Sequence, residues 1–173
     1  MLVKLLISIC LLPGIYQYNL PLLNGGNIAL SAYQGKKIMI VTLPVVQDAE
    51  SDAWLFSLDS LAAAHLDSLA VVGVPAFEDG YTGSNKAALS AWYHAKLSGH
   101  VLVSDGLYTQ SGSGEQQNGL FSWLTHPELN GTFSIEPQSP GYKFLVSSQG
   151  TLYAVLRPKT RLGSLVIDKL LHQ

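Results

Sequence analysis

The chain is 173 residues long, with 47% hydrophobic and 13% charged residues. That length suits one domain whose core needs no metal or disulfide staple, and so apolar a composition excludes a disordered chain. Ten basic residues against twelve acidic ones give a formal net charge of −2, and only Lys36 and Lys37 are adjacent. No basic track is present to follow the phosphates of a nucleic acid.

The amino terminus carries a positive charge at Lys4, the apolar run Leu5–Leu12 and then Pro13–Gly14. This is the layout of a short export leader. It is too short for a transmembrane helix, which needs ~20 apolar residues. Residues 1–14 are therefore expected to be a signal peptide and residues 15–173 a single domain. A secreted or periplasmic location follows; the alternative is a buried first element of a cytoplasmic protein. Cys10, the only cysteine, falls inside this leader. Ile9 precedes it where a lipoprotein leader needs a small residue, so a lipid anchor is not expected.

Tyr16–Leu20 alternates and reads as a strand. Asn24-Gly25-Gly26-Asn27 is a turn signal, and Ile28–Leu30 pairs back as a hairpin. Ile38–Leu43 is a near-continuous apolar run, suited to a strand buried on both faces. Asp48, Glu50 and Asp52 favour the first turn of a helix. The stripe Leu55, Leu58, Ala62 and Leu66 follows at helical spacing, flanked by Trp54 and Leu61. Leu69–Val74 is a second buried strand, stopped by Pro75. A second helix is expected over Asn85–Lys96, with Ala88, Ala91, Trp92 and Ala95 on one face. His100–Val103 is a third strand, and Ser111–Gly119 a polar loop. Leu120–Leu124 is a short helix. Tyr142–Val146 and Thr151–Val155 form a hairpin about Ser147–Gly150, and Leu162, Leu165, Val166 and Leu170 line a last helix. Two crossover helices between apolar strands imply parallel pairing, and the late hairpin adds antiparallel strands. The expected architecture is a mixed three-layer α/β sheet whose element order fits a thioredoxin-like fold with an N-terminal hairpin.

Several short segments then run in a recognisable order from about residue 15 to residue 171. These are Tyr33-Gln34-Gly35-Lys36 after the opening strands, Val72-Gly73-Val74-Pro75, Thr82-Gly83-Ser84-Asn85, Leu120-Phe121-Ser122-Trp123-Leu124, Lys143-Phe144-Leu145-Val146 with Gly150, and Arg157-Pro158-Lys159-Thr160 with Ser164-Leu165. In this order the chain resembles the glutathione peroxidase family in its shorter form. The resemblance implies a thioredoxin-like fold and a chemistry resting on a peroxidatic cysteine or selenocysteine, a glutamine, a tryptophan and an asparagine. The carry-over fails at each. The peroxidatic position falls on Gln47 or within one residue of it. The family's cysteine-asparagine-glutamine stretch becomes Ala76-Phe77-Glu78. The tryptophan and asparagine positions fall on Ser139 and Pro140.

Peroxide reduction needs a thiolate or selenolate to attack the O–O bond, and a glutamine amide cannot do this. Asp48, Glu50 and Asp52 follow the old nucleophile position, and Glu78 and Asp79 are expected to face them. Carboxylates there would raise a thiol's pKa, so a cysteine restored at residue 47 is not expected to restore activity. The same grouping admits a weak cation site with oxygen ligands from Asp48, Glu50, Glu78 and Asp79; the alternative is a helix N-terminus beside a solvated loop. His65, His94, His100, His126 and His172 are scattered without metal-ligand spacing. Ser113 between glycines lacks the strand-turn-helix setting of a nucleophile elbow. Asn130-Gly131-Thr132 is a formal glycosylation sequon that reads better as a turn. Trp54, Trp92 and Trp123 fall at helical apolar positions and are expected in the core.

The expected function is that of a glutathione peroxidase relative without peroxidase activity, with a binding or structural role. No feature requires a cofactor, and a protein partner is compatible with the role. Two alternatives stand beside it: a peroxidase role through Cys10, or an enzyme of other chemistry using Glu78 or Asp48 as acid or base.

Overall fold

The computed structural model describes residues 14–173. Cys10 and nearly all of the expected leader lie outside the described residues. Where a single strand is expected over Tyr16–Leu20, a 3-10 turn occupies Ile15–Gln17 and strand β1 only Asn19–Pro21. The cause is tertiary. Ile15 N donates to Gly150 O at 3.3 Å and the Tyr16 hydroxyl to Ser148 O at 2.8 Å. The first residues are thus fastened to the turn of the late hairpin before they can join a ladder.

Strand β2 (Asn27–Ala29) pairs with β1 in antiparallel register, Leu20 opposite Ile28. A 3-10 turn, Leu30–Tyr33, leads to β3 (Lys37–Leu43). Helix α1 (Ala49–Ala64), strand β4 (Leu69–Pro75), helix α2 (Lys86–Lys96) and strand β5 (Val101–Val103) follow. Short helices α3 (Gly119–Thr125) and α4 (Pro127–Asn130) precede the hairpin of β6 (Lys143–Val146) and β7 (Leu152–Leu156), and α5 (Leu165–Leu171) ends the fold. The main sheet has the order β5-β4-β3-β6-β7. The β3–β4 and β4–β5 pairs are parallel, as their helical crossovers dictate, and β6 and β7 are antiparallel.

Side chains alternate across the sheet, and both of its faces are buried. Met39, Val41, Leu43 and Val71 face α1, α2 and α5. Ile38, Ile40, Val72 and Phe144 face the N-terminal hairpin and α3. The result is three layers. Among the described residues, no helix is long and apolar enough to cross a membrane.

Two helix faces differ from expectation. On α2 the buried side chains are Leu89, Trp92 and Tyr93, while Ala88, Ala91 and Ala95 are exposed. A methyl group offers little apolar area, so the larger side chains decide the rotation of the helix. On α5, Ile167 and Leu171 are buried, whereas Leu165 and Val166 are exposed. The helix begins only at Leu165, after Leu162 has already been buried in the preceding turn. Leu66, expected on the α1 stripe, is 47% exposed because the helix stops before it, at His65.

The loop after β5 is pinned by Asp105. Its carboxylate accepts from the Tyr81 hydroxyl, from Gly106 N at 2.9 Å and from Lys86 Nζ at 2.6 Å. Burial first, and then this carboxylate, push the Tyr81 phenol well above its usual range. Gly106 lies flat against the Tyr81 ring, where an added Cβ would stand 2.0 Å from Cδ1. Gly106→Ala must therefore displace a buried ring and its hydrogen bond. A loss of about 2–3 kcal/mol is expected, or roughly 5–10 °C in Tm, measurable by thermal denaturation.

Candidate functional site

The sheet brings four segments to one edge. β3 and β4 end there, β6 begins there because it runs antiparallel to β3, and β7 ends there beside β6. Pro44 terminates β3, since it cannot supply the next ladder donor. The chain then turns through Val45, Val46 and Gln47 to Asp48. Asp48 caps α1 by accepting from Ser51 N at 2.7 Å, and that bond holds its carboxyl below the usual range.

Between these segments lies a cavity of 370 Å³. One wall is Pro44, Val45 and Val46, and a second is the first turns of α1, through Glu50, Ser51 and Trp54. Pro140, Gly141 and Pro158 close the far side, and Asp79 enters from the loop after β4. Gly141 has φ +92°, and a Cβ there would meet Pro158 Cβ at 3.3 Å. The Tyr93 hydroxyl donates to Pro44 O at 2.7 Å and steadies the first wall from α2.

The family-implied positions are not gathered as a catalytic set. Gln47 is exposed just ahead of α1. The Glu78 carboxylate accepts from Thr109 N and Gln110 N, both at 2.8 Å, and so organises the loop after β5. Ser139 presents its carbonyl to Thr42 Oγ1 at 3.2 Å. Of the four positions, only Pro140 lines the cavity.

The expected acidic grouping is likewise divided. Asp48 caps a helix and Glu78 holds a loop, so neither is poised as a free acid or base. Asp52 accepts from Lys96 Nζ at 2.7 Å and Trp92 Nε1 at 2.8 Å, joining α1 to α2; both bonds hold its carboxyl down. Glu50 and Asp79 alone remain on the cavity. Among the described residues no three His, Cys, Asp or Glu side chains converge as metal ligands, so the four-carboxylate cation arrangement does not assemble.

Other expected positions resolve plainly. Trp92 and Trp123 are buried, but Trp54 is only partly buried and forms part of the cavity wall. His65 closes α1 as its C-cap, and Ser113 Oγ donates to Gln110 O within its own loop. Asn130 is buried, and its Nδ2 donates to Trp123 O and Phe133 O. Its side-chain oxygen accepts from Thr132 N and Phe133 N. This amide is spent on a turn and offers no nitrogen to a glycan in the folded protein. The sequence reading missed the cavity itself. Its signal was the set of prolines at the strand ends, Pro44, Pro140 and Pro158.

Trgpx in its apo form superposes with a TM-score of 0.66 at 17% identity, covering 93% of this chain and 97% of that one. GPX1 of T. cruzi gives 0.64 at 16% identity, covering 92% and 95%. The exposed lipoprotein thioredoxin Etrx1 of Streptococcus pneumoniae strain TIGR4 gives 0.56 at 19% identity, covering 90% and 97%. The fold is thioredoxin-like. No family model and no curated protein matches the chain, so the likeness is one of backbone. Within this thioredoxin-like sheet the cavity sits beyond the carboxyl ends of parallel strands, where open α/β sheets place their ligands.

Burial, and then the neighbouring Glu78 charge, push the Asp79 carboxyl up from 3.8 to about 6. A raised carboxyl pKa means that the folded state disfavours the ionised form. The penalty is full above the folded value and fades as the pH falls toward the unfolded one. Asp79→Asn is therefore expected to be the more stable protein at neutral pH, by about 1 kcal/mol after solvent screening. The gain should shrink to nothing toward about pH 4. Urea denaturation of both proteins across that range checks it.

Proposed function

We propose that this chain is a glutathione peroxidase-like protein that does not reduce peroxides and uses the edge of its sheet for binding. The observation that carries the reading is the cysteine count. The one cysteine is Cys10, so the thioredoxin-like domain over residues 15–173 has no thiol at all. Without a thiolate nothing in the domain can attack an O–O bond and be cycled back through a sulfenic acid. The surroundings agree. Where the resemblance implies a glutamine, Glu78 is committed to the backbone of Thr109 and Gln110. Where it implies tryptophan and asparagine stand Ser139, whose carbonyl accepts from Thr42 Oγ1, and Pro140, which walls a cavity. A cavity of 370 Å³ is within the range that takes a small ligand, which favours binding over a purely structural role.

Purified protein given hydrogen peroxide or an organic hydroperoxide with glutathione or thioredoxin as reductant should show no turnover above buffer. Turnover that persists after Cys10→Ser overturns the reading. Gln47→Cys is expected to remain inactive in the same assay. The new thiol would sit at an exposed corner just ahead of Asp48 and Glu50, with none of the three partner groups restored.

A further inference from the structure

We infer that the cavity at the sheet edge is a site for a small organic ammonium compound, an amine on an aryl or alkyl body. The inference rests on the binding role just proposed and specifies its ligand. The charge pattern argues for it. Most of the wall is apolar, and the only charged side chains on it are Glu50 and Asp79, both acidic. Among the described residues neither forms an ion pair. The other carboxylates of this region are engaged: Asp48 with Ser51 N, Asp52 with Lys96 and Trp92, Glu78 with Thr109 and Gln110.

The one buried cation among the described residues does not pair with either carboxylate. Lys143 is wholly buried, and its Nζ donates to Gly141 O at 2.8 Å and Thr160 O at 2.9 Å. It is a strut behind the wall. Asp79 therefore stands partly desolvated beside a like charge, Glu78, and burial keeps its carboxyl high. A bound cation would remove that penalty. An anionic ligand such as a carboxylate or phosphate would add to it.

The apolar part of the ligand has a defined place too. Trp54 presents an indole to the cavity, and Pro44, Val45, Pro140 and Pro158 supply flat, rigid apolar surfaces. An indole in the same wall as two carboxylates suits an organic cation, which draws on the charges and on the aromatic surface together. The volume suits a compound of modest size. Both ends of such a ligand thus find matching chemistry.

Phenethylamine is a suitable probe, compared with two near-isosteres, neutral phenethyl alcohol and anionic hydrocinnamate. Calorimetric titration of the full chain at neutral pH and low salt is expected to show the amine binding. The alcohol should bind at least about tenfold more weakly, as a lost charge-assisted hydrogen bond requires, and hydrocinnamate should not bind. Asp79→Asn should weaken the amine about tenfold or more. Glu50→Gln, at an exposed helix position that does not threaten folding, should weaken it about threefold. Neither variant should change the affinity for the alcohol. Absence of amine binding up to millimolar concentration overturns the inference. So does equal affinity for amine and alcohol, or unchanged amine affinity in both variants. The peroxide assay on the same preparation separates the two failures. Turnover there overturns the non-catalytic reading, whereas missing amine binding with no turnover overturns only the ligand class.

Discussion

Thr42 is the residue through which the two halves of the sheet are joined at the edge where the cavity opens. It is fully buried near the end of β3. Its N–H donates to Tyr142 O at 3.0 Å and its carbonyl accepts from Gly141 N at 2.8 Å. Its hydroxyl donates to Ser139 O at 3.2 Å and accepts from Tyr142 N at 3.0 Å. A single residue thus extends the β3–β6 ladder past its regular end with its backbone and carries the Ser139–Gly141 loop with its hydroxyl. On the other flank Leu43 lies opposite Pro75, in register with β4. Without this fastening the loops that wall the cavity would have no fixed relation to one another. Four segments far apart in sequence become one site because β3 lies at the centre of the sheet.

The electrostatics follow from the same geometry. A carboxylate near a helix start or a loop amide finds donors within its own neighbourhood, and Asp48, Asp52 and Glu78 each do so. Their charges are held by hydrogen bonds and act on the fold, not on a ligand. Asp79 is turned to the cavity, partly withdrawn from water and next to Glu78, and among the described residues no cation pairs with it. Lys143, which lies just behind, is pushed down to about 8 by burial. It bonds two backbone carbonyls, Gly141 and Thr160, and so braces the far wall. The region combines satisfied charges that build structure with a pair of carboxylates that the structure leaves available.

The sheet and its crossovers were readable from the chain because long apolar runs with β-branched residues admit few other outcomes. Helix starts were equally plain at Asp48 and Asn85. Helix rotation was harder. On α2 the expected face was right at Trp92, which is buried, but its three alanines turn to solvent, because burial follows area and Leu89 and Tyr93 have more of it. The expected convergence of Asp48, Glu50, Glu78 and Asp79 failed for a related reason. Closeness in sequence to a site says nothing of which donor a carboxylate will meet first.

What the sequence by itself determined is the α/β order of elements and the confinement of the only cysteine to position 10. Both are properties of composition and spacing, which no packing can alter. Tertiary structure alone decided that the edge of the sheet holds a cavity, that Pro44, Trp54, Pro140 and Pro158 wall it, and that Asp79 faces it while Glu78 turns away. Those facts depend on contacts between residues far apart in the chain, such as Thr42 with Tyr142, one hundred positions away. No local pattern encodes the direction a side chain takes once such distant segments meet.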